Sequence, residues 1–432
     1  MRLKKILLSL LLAALAVLLP LVSGCAAEDP TGPRTEPLLV YVGEEGLYAC
    51  SGDGENRVLL VEGEYIHSPR ISPDGRYVYF NNSSDIFVVP TSGGTPTLAA
   101  AAAKNSGFLG PRLLSYSSKN DSVSLDGIYA FDPENGVSEA LYVASGANYV
   151  SSAALSYDSR KLAVSVSFVD VGVERSEGLY IRYMDMPELD RFTAKSICGH
   201  ADWQVIPLCW LSDGGALVLS CGSSNSERAQ LYVLPIIDGA AAPLGSSSMQ
   251  FLANSRISLS ADGKTAALLT YRSSEDLYET ICIADLTRAK CSYIPSGSSG
   301  VTGTALSPDG DLVAYTSGGT ASGLFVYAND TTLCVEGGDG KSEYSAPFFS
   351  EKGTNILFVG WGERLLAELD SDGNPVGTYT ETIASVYSSV PNSAGSRRIA
   401  DGLKFPDGVY TDSWYDMYDY YEYIPPETGI EN

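Results

Sequence analysis

The sequence predicts an all-β protein built from repeated four-stranded units, and three observations lead to this prediction. First, a β-rich run, the phrase Ser-x-Asp-Gly or a degraded copy of it, and a second β-rich run recur along the chain. Second, the Asp position of the phrase returns at intervals of 43–55 residues after one interval of 84, at Asp74, Asp158, Asp213, Asp262, Asp309 and Lys352. Third, the run after each turn has no charged centre, as in a strand buried on both faces. A period of about 45 residues made of strands and turns is typical of β-propeller blades.

Turn and strand chemistry accounts for each element of the repeat. In Pro73-Asp74-Gly75 and Pro308-Asp309-Gly310, proline fixes φ for a turn and Asp-Gly tolerates positive φ. The apolar second strands are expected near residues 38–42, 77–81, 113–117, 161–167, 216–221, 265–271, 311–316 and 355–360. The third strands are expected at Asp85–Val89, Gly127–Phe131, Gly178–Tyr183, Gln230–Leu234, Thr280–Ala284, Gly323–Tyr327 and Arg364–Leu369. A weaker fourth strand is then expected on the exposed edge of each blade.

Eight apolar second strands predict a closed β-propeller of eight four-stranded blades over residues 38–400. Seven blades are the alternative if one of the weaker copies is an insertion. An open sandwich of unrelated hairpins is disfavoured by the repeated turn sequence. The first copy lacks a preceding inner strand, and Ile383–Val390 is a candidate to supply it, closing the ring with strands from both ends. Such closure removes the sheet edges that promote aggregation.

The best copies of the phrase resemble a known family. Ser72–Phe80 (SPDGRYVYF) and Ser307–Tyr315 (SPDGDLVAY) are similar to the WD-like repeat of TolB-type propellers, while the copies at 156–164, 212–220, 260–269 and 350–358 are eroded. The resemblance covers roughly residues 38–400. It implies the propeller fold but leaves function open, because the same blade occurs in scaffolds, ligand binders and the propeller domains of peptidases.

The N-terminal segment predicts export. Met1–Lys5 is basic, Ile6–Val22 is apolar, and Val22-Ser23-Gly24-Cys25 follows. This ending resembles the lipobox of bacterial lipoprotein signals, which implies removal of residues 1–24 and lipidation of Cys25, with residues 25–37 as an extended tether. An ordinary signal peptide or a short transmembrane anchor is the alternative. We therefore expect a lipid-anchored protein on the extracytoplasmic face of the cell membrane.

Composition narrows the classes of partner. The chain carries 28 Lys and Arg against 52 Asp and Glu, a net charge of −24. Nucleic-acid phosphates and anionic headgroups repel such a surface, so we expect no nucleic-acid partner and attachment to the membrane through Cys25 alone. An envelope protein or peptide is the expected partner of a monomeric propeller.

The sequence offers no catalytic constellation. It has only two histidines, His67 and His200, too few for a multi-histidine metal site. It has no Gly-x-Ser-x-Gly elbow, and its glycines lie in hairpin turns rather than before helices. Two acidic segments, Asp53–Asn56 and Asp370–Asn374, are interpreted as hairpin turns rather than calcium loops. We therefore expect no metal, no cofactor and no enzymatic activity.

The cysteines give little further evidence about the function of the protein. Seven cysteines accompany Cys25, and none forms a Cys-x-x-Cys motif. Cys282 and Cys291 flank a predicted hairpin, so one cross-strand disulfide between them is conceivable. The cysteines on the predicted strands are expected to be small buried hydrophobic residues.

Two groups of aromatic residues are candidates for binding. The segments that precede the first strands of the blades should ring one mouth of the channel, where their aromatic and charged members are Tyr65, His67, Tyr149, Trp203, Arg256 and Tyr344. These side chains suit a sugar or a peptide end, or else pack beneath loops. Trp210, between a strand and a turn, is expected in the core.

The C-terminal segment, residues 401–432, is acidic and rich in tyrosine. Its predicted partner-binding residues are Trp414, Tyr415, Tyr418, Tyr421 and Tyr423. A tail that merely covers the terminal blade is the alternative. The sequence thus favours a non-catalytic protein-interaction scaffold at the cell envelope, with a binder of an extracellular glycan or small ligand at the channel mouth as the alternative.

Overall fold

The computed structural model describes residues 38–117, 127–186, 189–223, 226, 228–237, 239–246, 249–252, 257–271, 280–294, 300–318, 322–337, 343–350, 352–369, 375–403 and 420–423. The predicted signal peptide, Cys25, the tether and the Asp370–Asn374 turn lie outside the described residues. No helix in the described part of the chain has the length and apolarity needed to cross a membrane.

The chain forms a ring of eight four-stranded blades, as the sequence predicted. It begins with three strands, β1 Leu38–Gly43, β2 Gly46–Ser51 and β3 Val58–Glu62. Blade 1 contains β4 Ile66–Ile71, β5 Tyr77–Asn82, β6 Asp85–Pro90 and β7 Thr97–Ala100. Blade 2 contains β8 Ala103–Leu109, β9 Arg112–Ser117, β10 Gly127–Asp132 and β11 Val137–Val143. Blade 3 contains β12 Tyr149–Leu155, β13 Lys161–Asp170, β14 Val173–Tyr183 and β15 Leu189–Phe192, and is followed by one short helix, α1 Ala194–Cys198.

The second half of the ring repeats this order. Blade 4 contains β16 Gln204–Trp210, β17 Ala216–Gly222, β18 Arg228–Pro235 and β19 Ala242–Pro243, with β20 Phe251–Leu252 paired to β18. Blade 5 contains β21 Ser258–Leu259, β22 Thr265–Thr270, β23 Thr280–Asp285 and β24 Lys290–Tyr293. Blade 6 contains β25 Val301–Leu306, β26 Val313–Ser317, β27 Gly323–Ala328 and β28 Thr331–Gly337. Blade 7 contains β29 Glu343–Phe349, β30 Ile356–Leu369, β31 Pro375–Ser389 and β32 Arg397–Leu403, and the last strand is β33 Tyr420–Tyr423.

Blade 8 is assembled from both ends of the chain. β33 lies antiparallel to β1, with Leu38 opposite Tyr423 and Tyr41 opposite Tyr420. The expectation that Ile383–Val390 would supply this inner strand is therefore wrong. The reason lies in blade 7, where β30 continues to Leu369 instead of turning near residue 361. Arg364–Leu369 is thus the end of a second strand, and most of Ile383–Val390 belongs to the third, β31, while the other six predicted third strands are confirmed.

The core lies between blades rather than within them. In the described residues, the buried apolar side chains form eight clusters, and each cluster joins two neighbouring blades. One cluster joins blade 8 to blade 1 through Val40 and Val78, and another joins it to blade 7 through Leu39 and Val359. Eight junctions with none open confirm the closed ring. The second strands supply both faces of these contacts, as their uncharged sequences require.

The Ser-x-Asp-Gly turns share one hydrogen-bond pattern. Ser72 Oγ donates to Asp74 Oδ1 at 2.5 Å and accepts from the Tyr77 amide at 3.0 Å, and Gly75 adopts φ of 70°. The same serine–aspartate contact recurs in blades 3, 5 and 6 at 2.5–2.7 Å. Because each turn joins the first and second strands of its blade, all these turns lie around the same mouth of the channel. This opening is called the turn mouth below.

Candidate functional site: a cleft at the turn mouth

The first strands of the blades depart from regular pairing. Those of blades 1–4, 6 and 7 each carry a β-bulge, at Ser68-Pro69, Ser106, Ser151, Leu208, Thr302 and Ala346-Pro347. A bulge bends the strand and re-aims the side chains beside it. In blade 4 the bulge at Leu208 lets two successive residues, Leu208 and Cys209, line the same surface.

That surface belongs to a cleft of about 340 Å³ at the turn mouth. Three blades build it, because its lining comes from the ends of β8, β12 and β16 and from the turn that follows β12. The main side chains are Phe108, Leu155, Tyr157, Leu208, Cys209 and Trp210. A pocket of this size lies at the low end of the usual range for ligand sites. Its walls combine apolar side chains with Ser156, Ser159 and backbone polar atoms, so it suits a compact group that is apolar in part.

Trp210 fixes the wall between blades 3 and 4. Its ring is 1% exposed, and its Nε1–H donates to the carbonyl oxygen of Ala154 at 2.9 Å. The Lys161 ammonium lies 5.9 Å from the centre of the ring and donates to the Gly214 carbonyl at 2.7 Å. The prediction that Trp210 belongs to the core is confirmed, and the same residue also lines the cleft.

The cleft is uncharged at neutral pH. None of the described residues that line it is acidic or basic. Burial raises the pKa of the Cys209 thiol to about 12, so it stays protonated. Desolvation, and then the neighbouring Cys209, also raise the pKa of the Tyr157 hydroxyl, although the side chain is 62% exposed at the rim. A charged ligand group would therefore find no counter-ion inside the cleft.

The aromatic residues predicted for binding lie at the opposite mouth. Tyr65 is 66% exposed just before β4, and His67 Nε2 is 3.0 Å from the Ser83 carbonyl oxygen. Tyr149 and Tyr344 are each only 9% exposed. Their burial leaves little ring surface for a sugar to stack on.

The remaining predicted site residues fall into three groups. Trp203 stacks on His200 with ring centres 4.0 Å apart and packs against the cluster between blades 3 and 4. Arg256, Trp414, Tyr415 and Tyr418 lie outside the described residues. Tyr421 and Tyr423 lie in β33, so these two positions belong to the innermost strand of the closing blade.

Sequence reasoning missed the lining of the cleft. The predicted binding residues lie at the start of each first strand, whereas Leu155 ends β12 and Leu208 lies near the end of β16, just before a turn. The available signal was an apolar side chain at this position together with an exposed aromatic residue, Tyr157, inside the turn itself. In the described part of the chain, no three His, Cys, Asp or Glu residues are grouped so as to hold a metal ion.

No protein-family model matches the chain, and no curated protein sequence matches it. Solved structures do match the chain, in fold and at low sequence identity. A protein from Bacteroides ovatus named as a dipeptidyl aminopeptidase IV is 12% identical, with a TM-score of 0.51, over 85% of this chain and 59% of its own. An oligogalacturonate lyase in complex with manganese is 12% identical, with a TM-score of 0.50, over 83% of this chain and 98% of its own. TolB from Acinetobacter baumannii is 19% identical, with a TM-score of 0.34, over 71% of this chain and 66% of its own.

These neighbours correct one prediction. The sequence led us to expect a protein that is not an enzyme, but two of these three neighbours are enzymes by name. The expectation rested on missing motifs, and a missing motif does not exclude catalysis by other side chains. At such low identity the neighbours show the fold alone, so they assign neither a substrate nor a catalytic residue to this chain.

Proposed function

We propose that this protein is a lipid-anchored propeller of the cell envelope that binds a protein partner at the turn mouth, taking one apolar side chain of that partner into the cleft. The observation that supports this is the uncharged cleft built by blades 2, 3 and 4. A cavity of about 150 Å³ can hold benzene. A cleft of about 340 Å³ therefore has room for a large apolar side chain and part of its backbone.

The surroundings of the cleft indicate the rest of the ligand. The turns beside it carry Asp158 and Asp213 together with Arg160 and Lys161, so the charges of these two turns offset each other. The chain as a whole has a net charge of −24. We infer that the partner presents an apolar anchor on a basic surface, because the net negative charge of the chain orients and speeds the approach of a basic partner.

A photo-crosslinking experiment tests the binding site. p-Benzoylphenylalanine is placed at Tyr157, at the rim of the cleft, and separately at Tyr65, at the opposite mouth. The two tyrosines are a matched pair, being 62% and 66% exposed. We expect a discrete adduct with an envelope protein from position 157 and not from position 65. Addition of Leu208→Glu to the position-157 protein should abolish the adduct.

Two outcomes would contradict the proposed binding site. Equal adducts from both positions, or an adduct that survives Leu208→Glu in a folded protein, would place the contact away from the cleft.

The lipid anchor is tested separately by labelling cells with a palmitate analogue. The label should appear in the wild-type chain and be absent from Cys25→Ser, while label in both variants would contradict lipidation at Cys25.

A further inference from the structure

Two cysteines meet where the connector after blade 3 packs on blade 4. Cys198 ends α1, a single helical turn whose start is capped by Thr193 and whose end is the left-handed Gly199, with φ of 82°. Ala194 and Ile197 of this turn are buried in the cluster between blades 3 and 4. Cys198 packs against the same cluster and stays partly exposed.

The partner of Cys198 lies on the second strand of blade 4. Cys221, on β17, is fully buried within that cluster. Its thiol and the Cys198 thiol are within hydrogen-bonding distance of each other. Cys198 Sγ also lies 3.1 Å from the Ala194 carbonyl oxygen. Cys198 thus packs on the cluster that contains Cys221, each thiol interacts with the other, and only Cys198 is open to solvent.

This arrangement gives the two thiols different reactivities. The hydrogen bond with Cys221 lowers the pKa of Cys198 to about 7, against the opposing effect of burial. The same contact, together with desolvation, raises the pKa of Cys221. The accessible sulfur is therefore the nucleophilic one, and the buried sulfur is placed to react second.

We propose that Cys198 and Cys221 form a reversible disulfide that clamps α1 to blade 4, with a small-molecule disulfide or the disulfide of a thiol oxidase as the oxidant. The Cys198 thiolate attacks one sulfur of the external disulfide, forms a mixed disulfide and releases one external thiolate, which takes up a proton. The sulfur of Cys221 then attacks Cys198 Sγ, and its proton passes to the external thiolate that leaves. The bond to the external group breaks, and a second external thiol leaves. Two protein thiols are oxidised and one external disulfide is reduced.

The structure also explains why Cys221 can act second. The contact with the Cys198 thiolate is the largest cause of its raised pKa. Once Cys198 carries the mixed disulfide, that negative charge is gone. Cys221 then loses its proton more readily, and it remains next to the mixed disulfide that it must attack.

A second thiol pair provides an internal comparison. Cys282 and Cys291 also lie within hydrogen-bonding distance, but the ladder holds them in a diagonal register, with Cys282 opposite Tyr293 and Cys291 opposite Ala284. Diagonal positions in a sheet are about 7–8 Å apart, beyond the range that a disulfide bridges without backbone movement. All seven cysteines of the described part are reduced in the structure. We expect oxidation to distinguish the two pairs.

The test uses the full chain and does not depend on the proposed partner. The reduced protein is incubated with oxidised glutathione, remaining thiols are alkylated in denaturant, and cross-linked peptides are mapped by mass spectrometry. We expect a peptide linked through Cys198 and Cys221 that disappears on reduction, with Cys282 and Cys291 alkylated. Cys198→Ser should lose the link and form no glutathione adduct at Cys221, while Cys221→Ala should retain a glutathione adduct at Cys198.

Two results would overturn the proposal. One is a wild-type protein in which glutathione remains on Cys198 and Cys221 is still alkylated. The other is a link between Cys282 and Cys291 in place of the expected one. Cys282→Ser serves as the control that should leave the Cys198–Cys221 link unchanged. Failure of this experiment would not bear on photo-crosslinking at Tyr157, because the two use different residues and different readouts.

Discussion

The indole Nε1 of Trp210 lies 2.9 Å from the carbonyl oxygen of Ala154, and this hydrogen bond crosses from blade 4 to blade 3. It joins the two strand ends that form one wall of the cleft. Because the indole is 1% exposed, the bond is shielded from solvent in the folded protein. The residue that holds the blades together therefore also fixes the shape of the site.

The first prediction concerns this contact. Trp210→Phe removes the donor, leaves the Ala154 carbonyl without it and vacates part of the ring volume. We expect a loss of about 2–3 kcal/mol in the free energy of unfolding by urea titration. Trp203→Phe is the matched control, since Trp203 is only partly buried, and it should cost less than about 1 kcal/mol. Equal losses for both variants would contradict the role given to Trp210.

The second prediction concerns a turn that has lost its glycine. Ser159 takes the place of the turn glycine in blade 3 and adopts φ of 56°, where Gly75 of blade 1 adopts 70°. A side chain in this left-handed region costs about 1 kcal/mol or more. Ser159→Gly should therefore raise the free energy of unfolding by about 1 kcal/mol, and Gly75→Ser should lower it by at least as much. Calorimetry of the two variants beside the wild type checks both signs.

The third prediction concerns acid stability. Desolvation tends to raise the pKa of Asp74, but hydrogen bonds from Ser72 and Arg76, at 2.5 and 2.6 Å, outweigh it and hold the pKa below its ordinary value of 3.8. A carboxyl with a lowered folded-state pKa stabilises the fold above the unfolded pKa, and this stability is lost as pH falls through the folded-state pKa. Asp74→Asn should cost about 1–2 kcal/mol at pH 7 and flatten the decline of stability below about pH 4. Asp311→Asn, at an exposed turn position, is the control and should change the free energy of unfolding at pH 7 by less than about 0.5 kcal/mol.

The fourth prediction concerns the closing strand. A chain ending at Leu403 lacks β33 and leaves one edge of β1 unpaired. We expect it to lose about 4 kcal/mol, from four ladder positions, and to form larger species in size-exclusion chromatography. A chain ending at Tyr423 keeps the ladder and should behave as the full-length protein. Identical behaviour of the two truncated chains would show that β33 contributes nothing to closure.

The fifth prediction concerns thiol reactivity. Cys334 is exposed, but burial of its thiol and the nearby Glu336 raise its pKa, whereas Cys198 has a pKa of about 7. Alkylation of the reduced protein by iodoacetamide should therefore reach half its maximal rate near pH 7 at Cys198 and at higher pH at Cys334. Peptide-resolved alkylation from pH 5 to 9 measures both rates. In Cys221→Ala, the Cys198 profile should move to higher pH, because the contact that lowers its pKa is gone.

Much of the fold could be predicted because its determinants are local. The turn phrase and the uncharged run after it identified six second strands, including the degraded copy at Asp158, where serine stands in the glycine position. Apolar runs alone identified the other two, near residues 38–42 and 113–117. The closing strand could not be found in this way. Tyr420–Tyr423 belongs to an acidic, tyrosine-rich segment without strand periodicity, and its place in the ring depends on pairing with residues at the other end of the chain.

The candidate site was harder to predict for a different reason. Its walls depend on bulges such as the one at Leu208, which change the facing of a side chain without changing the local pattern of residues. Strict alternation along β16 places Leu208 and Cys209 on opposite faces, whereas both line the cleft. The aromatic residues at the other mouth were conspicuous in the sequence, yet Tyr149 and Tyr344 prove to be packing residues.

Because blade 8 is assembled from both ends of the chain, it cannot be completed until the last part of the chain has been synthesised. Val40 leaves the ribosome early, and its ladder partner Tyr421 follows about 380 residues later. At typical rates of synthesis this delay is on the order of half a minute. Throughout that interval β1 lacks the strand that pairs with one of its edges. A chain that stops before residue 420 lacks β33, so premature termination and proteolytic loss of the C-terminus leave the same edge of β1 uncovered.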